Sequence, residues 1–330
     1  MATTVNSAFN KFMKDYVNLD SDQVVKARAS RNWLIKQINN FPGKNDDFPA
    51  LYEEKHFGFG SFARSTKKRN LDDIDHLVCM KAQGLTYTEY SDTIYIHVPD
   101  DIKPFSKLMQ TNADYLSSIK VVNRFVKHLD AIPQYKKAEI KRNQEAATLQ
   151  LSTYEWNFDI VPCFYTTEDS NGKSFYIIPD GNGNWKKTDP RLDKNRTTRV
   201  NQLRDGHVLQ AIRAMKYWNK RQTMATMGSY LLENMILDYY ENNSATQWID
   251  IEVKYLLQYI KENIYSSVAD PKGIQGNINT LTDDEKYSIF SRAYDDYARA
   301  VDASQSENSN PAYAIGKWRS IFGLNFPTYG

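Results

Sequence analysis

A Gly-Ser corner and three acids spread along the chain constrain this sequence more than any other feature. Gly60-Ser61 is followed, after eleven residues, by Asp73-Ile74-Asp75, and much later by Asp159 in Asn157-Phe158-Asp159-Ile160-Val161. Strand side chains alternate between faces, so Asp73 and Asp75 point to one side while Ile74 points into the sheet. If the strand over 156–161 lies alongside, Asp159 joins them and three carboxylates surround one point. Such a set repels itself unless cations neutralise it, and hard oxygen ligands favour Mg²⁺ or Mn²⁺. Two such ions about 3.5–4 Å apart stabilise both the attacking and the leaving oxygen of an in-line phosphoryl displacement. At the corner, Gly60 permits close backbone approach to a phosphate, Ser61 offers a hydroxyl and an amide, and the start of a following helix favours an anion. Thr66 can add a hydroxyl. Asp159, flanked by Trp156, Phe158 and Ile160, is costly there unless it has a partner.

The patterning along the chain predicts an α+β architecture with a mixed sheet. Residues 7–41 read as helix in two pieces, broken near Leu19-Asp20-Ser21, and Pro42–Asp47 reads as a turn. Strands are expected over 55–59, 73–79 and 93–98, a helix over 107–129 ended by Pro133, and a clear sheet region over 136–178. Beyond Gly181-Asn182-Gly183-Asn184 the expectation is mostly helical: 206–221, 227–240, 248–265, 281–303 and 311–322, with a Thr282/Glu285 capping box on the fourth. This gives an N-terminal spine helix over 1–41, a catalytic α/β lobe over 42–185, a helical lobe over 186–323 and a tail over 324–330. A cleft between the lobes is the default ligand site. Because Pro327 stops the last helix, the tail is expected to be mobile.

Composition narrows the partners. Lys and Arg total 42 against 40 Asp and Glu, a formal charge of only +2, which excludes a strongly basic body that grips long nucleic acid by counterion release. Cys79 and Cys163 are too few for a disulfide scaffold and lack zinc-site spacing, which points to a reducing, cytoplasmic compartment. Neither a signal peptide nor a membrane-spanning run is evident. Among 22 Tyr, 15 Phe and 6 Trp, only Tyr230 is singled out as a base-stacking residue.

The Gly-Ser corner, the spacer, the acid-hydrophobic-acid triplet and the late third acid resemble the signature of DNA polymerase β-like nucleotidyltransferases, which aminoglycoside-modifying and CCA-adding enzymes share. The helical half narrows the resemblance. On the helix over 206–221, Lys216 falls on an apolar stripe between Leu209 and Ile212, where it needs an anion or a route to solvent. Lys216-Tyr217-Trp218, followed by Ser229-Tyr230-Leu231-Leu232-Glu233, is similar to the Lys-x-Trp and Ser-Tyr-x-x-Glu/Lys helices of the oligoadenylate synthase and cyclic GMP-AMP synthase superfamily. Asp270-Pro271 through Asn277 and the long leading helix fit as well, and the chain is identified as a member of the bacterial CD-NTases (cGAS/DncV-like nucleotidyltransferases). His76, after the acidic pair, departs from the usual apolar residue there.

The resemblance implies a bilobal polymerase β-like nucleotidyltransferase. It makes a cyclic di- or trinucleotide second messenger from NTPs, ATP or GTP among them, and releases pyrophosphate. Asp73, Asp75 and Asp159 hold two Mg²⁺ ions, with Mn²⁺ as a substitute. Gly60, Ser61, Thr66, Lys216 and Ser229 bind the triphosphate, and Tyr230 stacks on a base. The implied setting is bacterial anti-phage (CBASS) signalling through a cyclic-nucleotide-activated effector, with an E1/E2-like conjugating protein as a possible partner at Gly330. The alternatives are a nucleotidyltransferase with a macromolecular or drug acceptor, and a catalytically silent nucleotide-binding module.

Overall fold

The chain opens with α1 (Val5–Phe12), capped by a reciprocal Thr4/Ser7 box, and runs directly into a π-helical turn over Met13–Val17. Next come α2 (Ser21–Asn39), α3 (Phe41–Lys44), β1 (Phe57–Phe59), α4 (Gly60–Ala63), β2 (Asp73–Cys79), β3 (Thr86–Tyr90), β4 (Thr93–His97) and α5 (Ser118–Asp130). The sheet continues through β5 (Glu139–Asn143), β6 (Ala146–Gln150), β7 (Asn157–Tyr165), β8 (Tyr176–Pro179) and β9 (Trp185–Thr188). The remainder is helical: α6 (Pro190–Leu203), α7 (Val208–Asn219), α8 (Ser229–Asn242), α9 (Ile249–Asn263), α10 (Asp283–Ser306) and α11 (Pro311–Phe322). This computed structural model describes residues 2–44, 47–100, 102–111 and 113–330. Asn45 and Asp46 of the expected turn lie outside the described residues.

The chain divides into two compact units that interleave in sequence. One comprises Met1–Asp20, Arg64–Arg69 and Leu192–Gly330, the other Ser21–Ala63 and Asn70–Arg191. The spine expected over 1–41 is therefore shared, with α1 in the helical unit and α2 in the sheet unit.

In the sheet unit a nine-stranded mixed sheet runs in the order β1-β2-β7-β8-β9-β4-β3, with β6 also on β7 and β5 on β6. Its parallel pairing is β2 with β7, which aligns Asp73 with Asn157, Asp75 with Asp159 and Cys79 with Cys163. Below the acids, the same face of these strands turns apolar: Leu77, Cys79, Val161 and Cys163 pack with Ala146 and Tyr176. The opposite face buries Ile74, Val78, Phe158 and Ile160. A strand with acids at one end and core residues at the other is thereby fixed in register, because a one-residue slip would bury the carboxylates.

Several elements differ from the expectation. The helix expected over 107–129 starts only at Ser118, where the Ser117 hydroxyl caps the Lys120 amide; the chain before it pairs locally, Gln110 N–H with Tyr115 C=O at 2.7 Å. β9 adds a strand where none was expected, because the Asp180 carboxylate gathers the amides of Asn182, Gly183 and Asn184 into a turn and Trp185 is fully buried. α6 went unrecognised since it has no apolar stripe: Leu192 and Leu203 are exposed and Val200 is buried.

The helical unit packs α1 and α6–α11 around one core. Trp218 of α7 is fully buried and its indole N–H donates to Asp296 of α10 at 2.8 Å, with Arg292 and Arg299 completing the charge balance. The Thr282/Glu285 capping box forms as read. The tail, however, is docked. Phe326 is fully buried, its ring 5.0 Å from Phe9 and 5.1 Å from Phe12, and Tyr329 bridges to Ala2 in parallel β fashion. The last helix already stops at Phe322, where Gly323 takes φ +86°, and an aromatic ring just before Pro327 finds a pocket of rings, which outweighs the entropy of a free end. No described helix is long and apolar enough to cross a membrane.

Candidate active site

Asp73 and Asp75 are half-buried on β2, and Asp159 is half-buried on the adjoining β7. Registered residues of parallel neighbours face the same way, so all three acids share one face. Asp159 shows the strain of this arrangement. Burial pushes its carboxyl above the ordinary range, a hydrogen bond of 2.6 Å from the Thr148 hydroxyl on β6 pulls it back, and the charge of Asp73 raises it further. Asp72, of opposite parity, is exposed and its carbonyl holds the Asn157 amide at 2.8 Å, which ties the starts of the two strands together.

The corner is built against this pair. Phe59 of β1 is aligned with Asp75, and the next residue, Gly60, has φ +72°. A Cβ at Gly60 would lie 1.8 Å from the Asp75 carboxylate oxygen, so glycine is required both by conformation and by contact. Ser61 follows, half-buried, on α4; that helix is a single four-residue turn, so any dipole at its start is small.

In type, face and mutual repulsion the three acids fit hard divalent cations. As they stand, no group of three or more His, Cys, Asp or Glu among the described residues converges closely enough to form a metal cage. The backbone register, not side-chain convergence, carries the fit.

The remaining predicted residues belong to the helical unit. Lys216 is 5% exposed, and its ammonium is paired with Glu233 of α8 and lies 3.5 Å from the Thr66 hydroxyl. Glu233, 2% exposed, also accepts from Thr66 at 3.0 Å and from Arg64 at 3.1 Å. Ser229 is exposed as the first residue of α8, and no side chain caps that helix. The Tyr230 hydroxyl sits between Asp193 at 2.7 Å and Asp270 at 3.0 Å, and the Lys272 ammonium lies 4.1 Å over its ring. Asp270 in turn folds the Asp-Pro loop, accepting the amides of Lys272, Ile274 and Gln275.

Several participants had no clear mark in the sequence. Thr148 sits in a plain alternating strand, and Arg64 lies just past the corner. Arg191, Arg196 and Arg199 are engaged with Asp189, Asp238 and Glu241. His76 faces away from the acids, and neither of its ring nitrogens has a hydrogen-bond partner among the described residues. An open cavity of about 410 Å³ lies in the helical unit by Tyr239, Tyr255 and Tyr259; none of the predicted site residues lines it.

No family model matches the chain. Over 331 residues it is 47% identical to a probable cyclic nucleotide synthase of Bacillus cereus (strain VD146), covering 100% of this chain and 99% of that one. It is 22% identical over 342 residues to the cyclic AMP-AMP-AMP synthase of Escherichia coli (strain MS 115-1), covering 96% of each. Among solved structures, E. coli MS115-1 CdnC, in a CdnC:HORMA-deltaN complex, superposes with TM-score 0.71 at 16% identity over 98% of both chains. E. coli DncV in its 3′-deoxy GTP bound form superposes with TM-score 0.64 at 13% identity, covering 98% of this chain and 95% of that one. The structural likenesses establish the fold, and the 47% identity along the whole length establishes the family: the chain belongs to the bacterial CD-NTases, nucleotidyltransferases of the cyclic nucleotide synthase kind.

Proposed function

We propose that this CD-NTase joins nucleoside triphosphates into a cyclic di- or trinucleotide with release of pyrophosphate, as a messenger for a downstream effector in bacterial anti-phage (CBASS) signalling. The observation that carries the reading is the in-register Asp75/Asp159 pair with Gly60 pressed against Asp75. Asp73, Asp75 and Asp159 would hold Mg²⁺, or Mn²⁺ in its place, which when bound neutralises the carboxylates and stabilises charge on the attacking and leaving oxygens. The acceptor hydroxyl attacks the donor α-phosphorus, a new O–P bond forms, and the bond to pyrophosphate breaks. Asp159, in register with Asp75 on the neighbouring strand, takes the hydroxyl proton.

Gly60, Ser61, Thr66, Lys216 and Ser229 are the groups proposed to receive the donor triphosphate, and Tyr230 to stack on a base. The uncapped start of α8 supports Ser229 in that role, since its first-turn amides are unclaimed by any capping side chain. A second transfer in the same site closes the ring. One structural neighbour supplies points of contact for substrate and partner: CdnC is known in a form with ATP and in a CdnC:HORMA-deltaN complex. ATP is accordingly the first substrate to test, with GTP next, and the proposed place of action is the bacterial cytoplasm. A conjugating protein acting on Gly330 would first have to draw residues 327–330 away from Ala2.

The test is to incubate the purified chain with Mg²⁺ and the four NTPs and identify products by mass spectrometry. A phosphatase-resistant cyclic product with matching pyrophosphate supports the reading. Linear products elongated on an added polymer, or a nucleotidylated drug, would replace it.

A further inference from the structure

The segment Arg64–Arg69 leaves the corner and joins the helical unit, where it builds a concentration of positive charge with the end of α7. Lys68 is held below its ordinary range first by burial and then by the charges of Lys220, Lys67 and Lys216. Arg64, Lys67, Lys68, Lys216 and Lys220 thus crowd one region. The carboxylate in direct contact with two of them is Glu233, which pairs with both Arg64 and Lys216 while almost entirely out of water. From α6, Asp193 adds a more distant negative charge on Arg64, as does the Tyr230 hydroxyl on α8 when ionised.

From this geometry we infer that Glu233 is a positioning residue, the resident counter-anion that keeps the Lys216 ammonium charged and in place before a polyphosphate reaches it. The inference rests on the reading of Lys216 as a triphosphate ligand. An ammonium this buried sheds its proton unless an anion stands beside it. Burial does push Lys216 down, with Arg64 and Lys67 adding to the push, and Glu233 is the group that opposes it. Burial also works against the Glu233 charge, but Arg64 and Lys216 together overcome it and hold the carboxyl below its usual range. The triphosphate then meets a preformed cation and no proton has to be found during binding. Without the carboxylate, nothing opposes the push of burial on the Lys216 ammonium, and polyphosphate binding draws a proton from solvent.

The experiment measures binding of inorganic tripolyphosphate by calorimetry to the full chain and to Glu233→Gln, from pH 6 to pH 9 and in buffers of different ionisation enthalpy. The expected result is about one more proton taken up per tripolyphosphate in Glu233→Gln than in the unaltered protein. The ratio of the two affinities should then widen by up to about tenfold per pH unit. A ratio that does not change with pH overturns the proposal and leaves Glu233 a purely structural residue. Should Glu233→Gln fail to fold, nitrogen-15 NMR of the Lys216 side chain in the unaltered protein decides it. An ammonium at pH 7 that stays unchanged on adding tripolyphosphate is expected, and a neutral amine overturns the proposal. If Lys216→Met leaves tripolyphosphate affinity untouched, the phosphate-ligand reading fails, whatever Glu233 does.

Discussion

Asp75 and Asp159 stand directly opposite each other on the parallel strands β2 and β7, with Gly60 so close to Asp75 that no side chain fits between. This places a glycine corner, a carboxylate and a second carboxylate in one row. Each has a consequence that can be measured.

Gly60→Ala puts a methyl group where the Asp75 carboxylate lies and forces an L-residue into φ +72°, a conformation costing roughly 1–2 kcal/mol. Asp75 must turn away. Nucleotidyl transfer should fall by on the order of 10²-fold or more while circular dichroism stays near that of the parent. Parental activity would mean that Asp75 does not need its present position.

Asp159→Asn should raise thermal stability at neutral pH while removing activity. The folded protein holds the Asp159 proton more tightly than the unfolded chain does, so its ionised form costs stability once the pH exceeds the ordinary carboxylate value of 3.8. The gain in Tm should be present at pH 7 and shrink as the pH is lowered below that value. A lower Tm at pH 7 would show that the carboxylate is a net stabiliser.

His76 is half-buried with both ring nitrogens out of water and without a hydrogen-bond partner among the described residues, and burial, then the charges of His56 and Arg31, depress its pKa to about 3. Folding requires the neutral ring, so its contribution is complete above pH 6.5 and is lost as the pH falls from there toward 3. Urea melts of His76→Phe should show a shallower loss over this range. Some loss must remain, because His56 is likewise depressed, to about 4.

Phe326→Ala empties a site enclosed by Phe9, Phe12 and Phe322, and should cost about 3–5 kcal/mol in chemical denaturation. A loss under 1 kcal/mol would restore the mobile tail that Pro327 suggested.

What the sequence disclosed follows from how local each signal is. The alternation around Asp73-Ile74-Asp75 and the isolation of Asp159 among apolar neighbours pointed to one shared face, and the β2/β7 register provides it. The apolar periodicity of α7 to α11 was equally readable. Thr148 was not, because its role exists only through pairing with Asp159 across two strands. Nor was β9, whose strand character comes from β8 and a buried Trp185 and not from its Lys186-Lys187 pair. Lys216 was recognised as needing an anion; that the anion is Glu233, one helix away, depends on packing no spacing encodes.

The half-buried acids Asp73, Asp75 and Asp159 are the groups on which the proposed transfer depends. The direct measurement is pyrophosphate release and cyclic product formation from NTPs and Mg²⁺ by Asp75→Asn beside the unaltered chain, with folding checked by thermal melt. Loss of both signals by at least about 10³-fold, with a Tm at or above that of the parent, is the predicted result. Cyclic product made at the parental rate by a folded Asp75→Asn protein would contradict it.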